Sequence, residues 1–112
     1  MAFYTFRQNN SGGAFDHDEH RGIALFVVIE ASCVDEANEI AEAVGIYFDG
    51  CESGTDCPCC GDRWDPVNEY DEKETPNIYG NTPDEYVRLN KPWIREGKEI
   101  CVHYADGRKE WF

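Results

Sequence analysis

Seven consecutive apolar residues, Ile23-Ala24-Leu25-Phe26-Val27-Val28-Ile29, constrain the fold more than any other stretch of the chain. A half-exposed strand alternates apolar and polar side chains, because successive Cβ atoms point to opposite faces. Here both sets of positions are apolar, so both faces need cover, and the segment is expected at the centre of its sheet. The run is far short of the roughly 20 residues that span a bilayer, so no membrane segment is expected.

A helix should follow at once. Ser32 is the expected N-cap, with Asp35 three residues on in a near capping box. Val34, Ala37, Ile40, Ala41 and Val44 line one helical face, and Asp35, Glu36, Glu39 and Glu42 line the other. Gly45 is the expected stop. Ile46-Tyr47-Phe48 then reads as a short strand completing a β–α–β unit, and Asp49-Gly50 as a turn that delivers Cys51.

The remaining elements are shorter. Phe3 to Arg7 is aromatic and β-branched, a first strand, with no apolar h-region that would mark a targeting peptide. Gln8 to Gly13 is a breaker-rich loop whose side-chain and backbone donors suit an anion, although no helix pattern follows it. Asp16 to His20 is a polar turn carrying two histidines. From Trp64 to Asn81 the chain is irregular, punctuated by Pro66, Pro76 and Gly80, and such a loop needs pinning by Trp64, Tyr70 and Tyr79 or by a metal. Thr82-Pro83-Asp84-Glu85 starts a short helix that ends before Pro92. Glu99–Tyr104 and Arg108–Phe112 form a hairpin around Ala105-Asp106-Gly107, with Ile100, Val102 and Tyr104 on one face and Cys101 and His103 on the other. The predicted fold class is α+β: residues 1–112 form one domain, with a small mostly antiparallel sheet and one main helix packed on it. A long irregular cysteine-containing region over 51–81 and a C-terminal β-hairpin complete it.

Charge limits the partners. The formal net charge is −13, and no Lys or Arg occurs between Gly22 and Asp62. Nucleic-acid affinity comes largely from Lys and Arg releasing phosphate counterions, so direct nucleic-acid binding is not expected. An acidic face either aids solubility or docks on a basic protein. Six cysteines without a leader peptide point to thiols or metal ligands in a reducing cytoplasm rather than to disulfides.

Three of those cysteines sit in Asp56-Cys57-Pro58-Cys59-Cys60-Gly61-Asp62-Arg63-Trp64. Cys57 and Cys60 have knuckle spacing, with proline and glycine placed to form a tight turn that aims amides at sulfur. A structural zinc would need two more ligands; Cys51 is the expected third and Cys101 the fourth, with His103 as its alternative. Cys59 should point away and Cys33 should be a small buried residue. Packed free thiols are the plain alternative. A Cys57/Cys60 redox dithiol is a third, weakened because acidic neighbours raise thiol pKa values. No catalytic set is present: there is no Gly-x-Ser-x-Gly, no phosphate loop and no His-Glu-x-x-His.

Phe6 to Gly13, Gly45 to Gly50 and above all Asp56 to Trp64 together resemble a family of small tailed-bacteriophage proteins, over roughly the first two thirds of the chain. That resemblance implies an accessory protein working in a bacterial cytosol, and it carries no catalytic residues. The leading expectation is a non-enzymatic protein that binds a host or phage macromolecule, such as a basic host defence protein, through Arg63 and Trp64, with a plain core role as the alternative for Trp64. The alternatives are a small-ligand sink that sequesters a nucleotide-like signal at the Asn9-Asn10 loop, and a thiol redox protein.

Overall fold

The structure is a computed structural model that describes residues 1–10 and 13–112. Ser11 and Gly12 of the expected anion loop lie outside the described residues. Four strands form one sheet in the order β1 (Ala2–Arg7), β2 (Phe26–Ala31), β3 (Ile100–His103), β4 (Lys109–Trp111). β1 pairs antiparallel with β2, β2 parallel with β3, and β3 antiparallel with β4 as the C-terminal hairpin. The strand with two apolar faces is thus internal, as its composition demands.

Strand alternation sends side chains into two cores. Tyr4 and Phe6 of β1 and Val27, Ile29 and Ala31 of β2 face α1 (Val34–Val44), which contributes Ala37 and Ala41, while Trp64 and Val67 complete that layer. Phe26, Val28, Ile100 and Val102 face the opposite way and are covered by Ile78, by Phe15 and by Tyr86 and Val87 of α3 (Pro83–Leu89). At roughly 25 cal/mol per Å² of apolar area, each fully buried Ile or Phe contributes on the order of 2 kcal/mol. Among the described residues, no helix is long and apolar enough to cross a membrane.

Four local expectations need correction. Cys33, not Ser32, occupies the N-cap of α1, extended and without a side-chain cap bond. Glu36 instead reaches back to accept the Ser32 N–H at 2.9 Å, doing what Asp35 was expected to do. Those bonds hold the Glu36 carboxyl below its usual range. Ile46–Phe48 is no strand. Gly45, at φ 114°, ends the helix, and the Ile46 N–H bonds back to Ala41 O at 3.0 Å, so the chain turns before any strand partner is within reach. The parallel return from β2 is β3, after the whole intervening segment.

Third, of the three aromatics expected to pin the irregular segment only Trp64 is buried, and other groups do the rest. Tyr70 and Tyr79 are exposed, while Val67 and Ile78 are buried with Trp64. Asn38 of α1 clamps Val67, donating to its carbonyl at 3.1 Å and accepting from its N–H at 2.9 Å. Lys73 exchanges backbone bonds with Phe3 at 2.8 and 3.0 Å, and Thr5 donates to Asn77 O at 2.7 Å. Fourth, Cys33 is exposed, because the N-cap precedes the face that α1 buries.

Candidate functional site

The cysteine loop opens with α2 (Gly50–Ser53), a single turn entered through Asp49 at a positive φ of 56°. Asp56 is buried inside it and accepts from the Arg63 N–H at 2.8 Å and the Tyr47 hydroxyl at 2.7 Å. Gly50 passes so close that a Cβ there would collide with the Asp56 carboxylate, which explains a glycine at that point.

Arg63 and Trp64 lie inside the fold rather than on an open surface. Trp64 is 1% exposed and fills the core beneath α1. Arg63 is 9% exposed, and its guanidinium donates to Gln8 Oε1 at 2.9 Å, Ala14 O at 2.7 Å and the Tyr47 hydroxyl at 3.1 Å. Asp16 stands 3.3 Å from it and Asp56 3.8 Å. A buried charge is tolerated when it is paired and hydrogen-bonded on every side, and Arg63 meets that condition. Gln8 is likewise saturated, donating to Ala24 O at 2.9 Å and Asp16 O at 3.0 Å. The pair ties the end of β1 to the cysteine loop, and neither contact residue expected from the sequence is available to a partner.

The knuckle turn itself forms. Cys57 O accepts from the N–H groups of Cys60 at 3.1 Å and Gly61 at 3.2 Å, and the Cys51 thiol lies 3.4 Å from the same oxygen. The amides of Cys59 and Cys60 both point at the Cys57 sulfur and hold its thiol below the usual range. The direction is opposite to the rise expected from acidic neighbours, because the backbone N–H groups of Cys59 and Cys60 favour the thiolate more than desolvation opposes it. Cys51 follows the expected rule, pushed up to about 11 by desolvation and by Asp62 and Asp56. Cys59 is exposed.

The four expected zinc ligands are not gathered. Cys101 is buried in the sheet, its thiol pushed up to about 12 by burial, and its sulfur packs against Gly22. His103 Nε2 bonds to Gly22 O at 2.9 Å. Among the described residues, no group of three or more His, Cys, Asp or Glu side chains is placed to hold a metal ion.

Asn9 and Asn10 fare differently. Asn9 donates to Cys60 O at 2.8 Å and to Asp62 O at 3.3 Å, so half of its role is structural. Both asparagines also line a cleft of about 180 Å³ with Arg7, Tyr79, Tyr86 and Trp93. Its lining carries two groups of aromatic contacts: Phe26, Tyr79 and Tyr86, with centroids 5.1 to 6.3 Å apart, and Phe15 with Trp93 at 6.5 Å. Tyr79 and Trp93 remain 68% and 74% exposed.

Tyr79 is also the conformational oddity of the site. Ile78 and Asn81 exchange backbone bonds at 2.7 and 3.0 Å around Tyr79-Gly80, whose φ values are 52° and 88°. Such a two-residue turn favours Asn-Gly, and a bulky residue at its first position costs on the order of 1 kcal/mol. Sequence reasoning gave no site role to Arg7, Tyr86 and Trp93, and gave Tyr79 only that of pinning its own loop. The legible signal was an aromatic residue at a turn position where asparagine is usual.

No curated protein and no solved structure matches this chain. A family model described as a domain of unknown function, DUF7296, matches residues 1–112, and the chain belongs to that family.

Proposed function

We propose that the protein is a non-enzymatic binding protein that holds a small planar ligand between Tyr79 and Tyr86 on one side and Phe15 and Trp93 on the other. Its setting as a bacteriophage accessory protein rests on the resemblance of the cysteine loop. One observation carries the ligand reading: Tyr79 is held in a strained conformation with its ring in solvent, beside the equally exposed Trp93. Burial would relieve both rings of water, whereas a purely structural turn would have no use for the strain. Asn9 and Asn10 supply hydrogen-bonding groups at the rim, as small-molecule sites require.

A thermal-shift titration with planar heteroaromatic compounds, beginning with the four ribonucleosides, tests this. At 100 times its Kd, a ligand stabilises by about 2.7 kcal/mol, which should raise Tm by roughly 10 °C. Trp93→Ala should abolish the shift without changing the unliganded Tm. A wild-type protein unmoved by the whole panel and by its phosphorylated forms at millimolar concentration would overturn the reading.

A second reading, docking on a basic protein, draws on α1. Asp35, Glu39 and Glu42 are exposed on it, and among the described residues none forms an ion pair. Its mark would be a partner captured at low salt and released at high salt, with release matched by charge reversal on α1.

A further inference from the structure

Six of the ten basic side chains, Arg21, Arg63, Arg88, Arg95, Lys98 and Arg108, make ion pairs with neighbouring carboxylates. Arg7, Lys73, Lys91 and Lys109 make none among the described residues. In a chain of net charge −13, carboxylates are abundant, so a cation left without one is informative. Two of these four, Arg7 and Lys73, line a single groove.

That groove, about 330 Å³, runs beside the aromatic cleft. The two cavities share Arg7, Phe26 and Tyr79, so these three residues border both. Together they reach the roughly 300–1,000 Å³ typical of small-molecule sites. Arg7 ends β1 and Lys73 is fixed opposite Phe3 by the paired backbone bonds, so both cations are mounted on the sheet edge rather than on a free loop. Thr5 and Asn77 sit between them. Asn77 Oδ1 accepts from the Gly80 N–H at 2.9 Å, and its amide nitrogen makes no hydrogen bond among the described residues, leaving a further donor at the groove. The one acid on the lining is Asp71, and its Oδ2 already accepts from the Asn68 N–H at 2.8 Å.

We propose that this groove takes the phosphate of a mononucleotide whose base lies in the adjoining aromatic cleft. The inference rests on the small-ligand reading above and specifies its chemistry. An arginine fork and a lysine are the groups that hold phosphate oxygens, and aromatic faces stack bases of any sequence. The acidic remainder of the molecule selects for a single phosphate group. A polyanion would run from the groove onto surfaces that repel it, Glu69, Glu72 and Glu74 beside Lys73 among them, whereas one phosphate meets the local pair of cations with Asp71 as the one acid on the lining. Tyr79 belongs to both halves, which gives a reason for holding it in a conformation that asparagine or glycine would adopt with less strain.

Isothermal titration of the wild-type protein with each ribonucleoside, its 5′-monophosphate, inorganic phosphate and a short single-stranded oligonucleotide tests the proposal. One monophosphate should bind about ten-fold or more tightly than its nucleoside. Lys73→Gln should bring it toward the nucleoside's affinity while leaving nucleoside binding unchanged, and Arg7→Gln, at a residue that lines both cavities, should weaken the monophosphate more than the nucleoside. Tyr79→Asn should lose both ligands with Tm unchanged or raised, because asparagine tolerates positive φ. A nucleoside and its monophosphate bound equally would overturn the phosphate assignment and leave the cleft reading standing. Failure of both to bind would overturn the two together. An oligonucleotide bound more tightly than any monophosphate would overturn the choice of a single nucleotide.

Discussion

Cys51 and Cys57 share one loop, yet their thiols are displaced in opposite directions by groups within hydrogen-bonding reach. Two backbone N–H groups favour the Cys57 thiolate, while desolvation first, and then Asp62 and Asp56, disfavour a negative charge on Cys51. Thiolate, not thiol, is the nucleophile, so reactivity should follow this order. Iodoacetamide at neutral pH, read by peptide mass spectrometry, should label Cys57 well before Cys51. Cys101, pushed up to about 12 and closed in the sheet, should be labelled last and only on unfolding. Equal labelling of Cys51 and Cys57 would remove the case for an amide-stabilised sulfur. The same turn makes Cys57 the natural first target of any soft metal or oxidant that reaches the loop.

At the scale of elements, the long segment after Trp64 is ordered without a strand or helix of any length. Its strength comes from a few bonds to neighbours that are rigid themselves. Asn38 is the clearest case, because one side-chain amide satisfies both the N–H and the C=O of Val67, which is buried. Removing it leaves two backbone groups partly desolvated without partners, at about 1–3 kcal/mol each when nothing replaces them. Asn38→Ala should therefore lower stability by roughly 2 kcal/mol, although alanine favours the helix it sits in. Urea denaturation gives the number. Limited proteolysis should then cut first between Trp64 and Asn81, and a variant as stable and resistant as wild type would show that Val67 is held by packing alone.

For the molecule as a whole, acid stability depends on one buried imidazole as well as on the carboxylates. His103 lies in β3, bonded to Gly22 O, and burial pushes its pKa below the ordinary value, with Lys109 across the hairpin adding to the effect. The unfolded chain therefore takes up a proton near pH 6.5, where the folded protein still resists it. Stability from the neutral imidazole is complete above about pH 6.5 and is lost as pH falls from there toward the lower folded value. Each unit inside that window costs at most about 1.4 kcal/mol. His103→Gln, which keeps a donor for Gly22 O, should flatten the Tm profile between pH 6.5 and 5 relative to wild type. An unchanged slope would place the acid sensitivity elsewhere.

Sequence by itself determined whatever depends on local periodicity and covalent geometry. The two-faced apolar run could only be an internal strand, Gly45 could only end the helix, Thr82-Pro83 opened α3, and Ala105-Asp106-Gly107 turned the hairpin. The knuckle turn at Cys57–Cys60 was equally local. Tertiary structure decided the rest, because it turns on which distant groups meet. Arg63 and Trp64 have the composition of a contact surface, but the fold closes Gln8, Tyr47 and Asp56 around one and α1 over the other. Arg7, Lys73, Tyr79 and Trp93 are scattered along the chain and come together where the edge of β1 meets the segment covering the sheet. No spacing rule registers that meeting, since loop closure over such separations is set by the whole core and not by any neighbour in sequence.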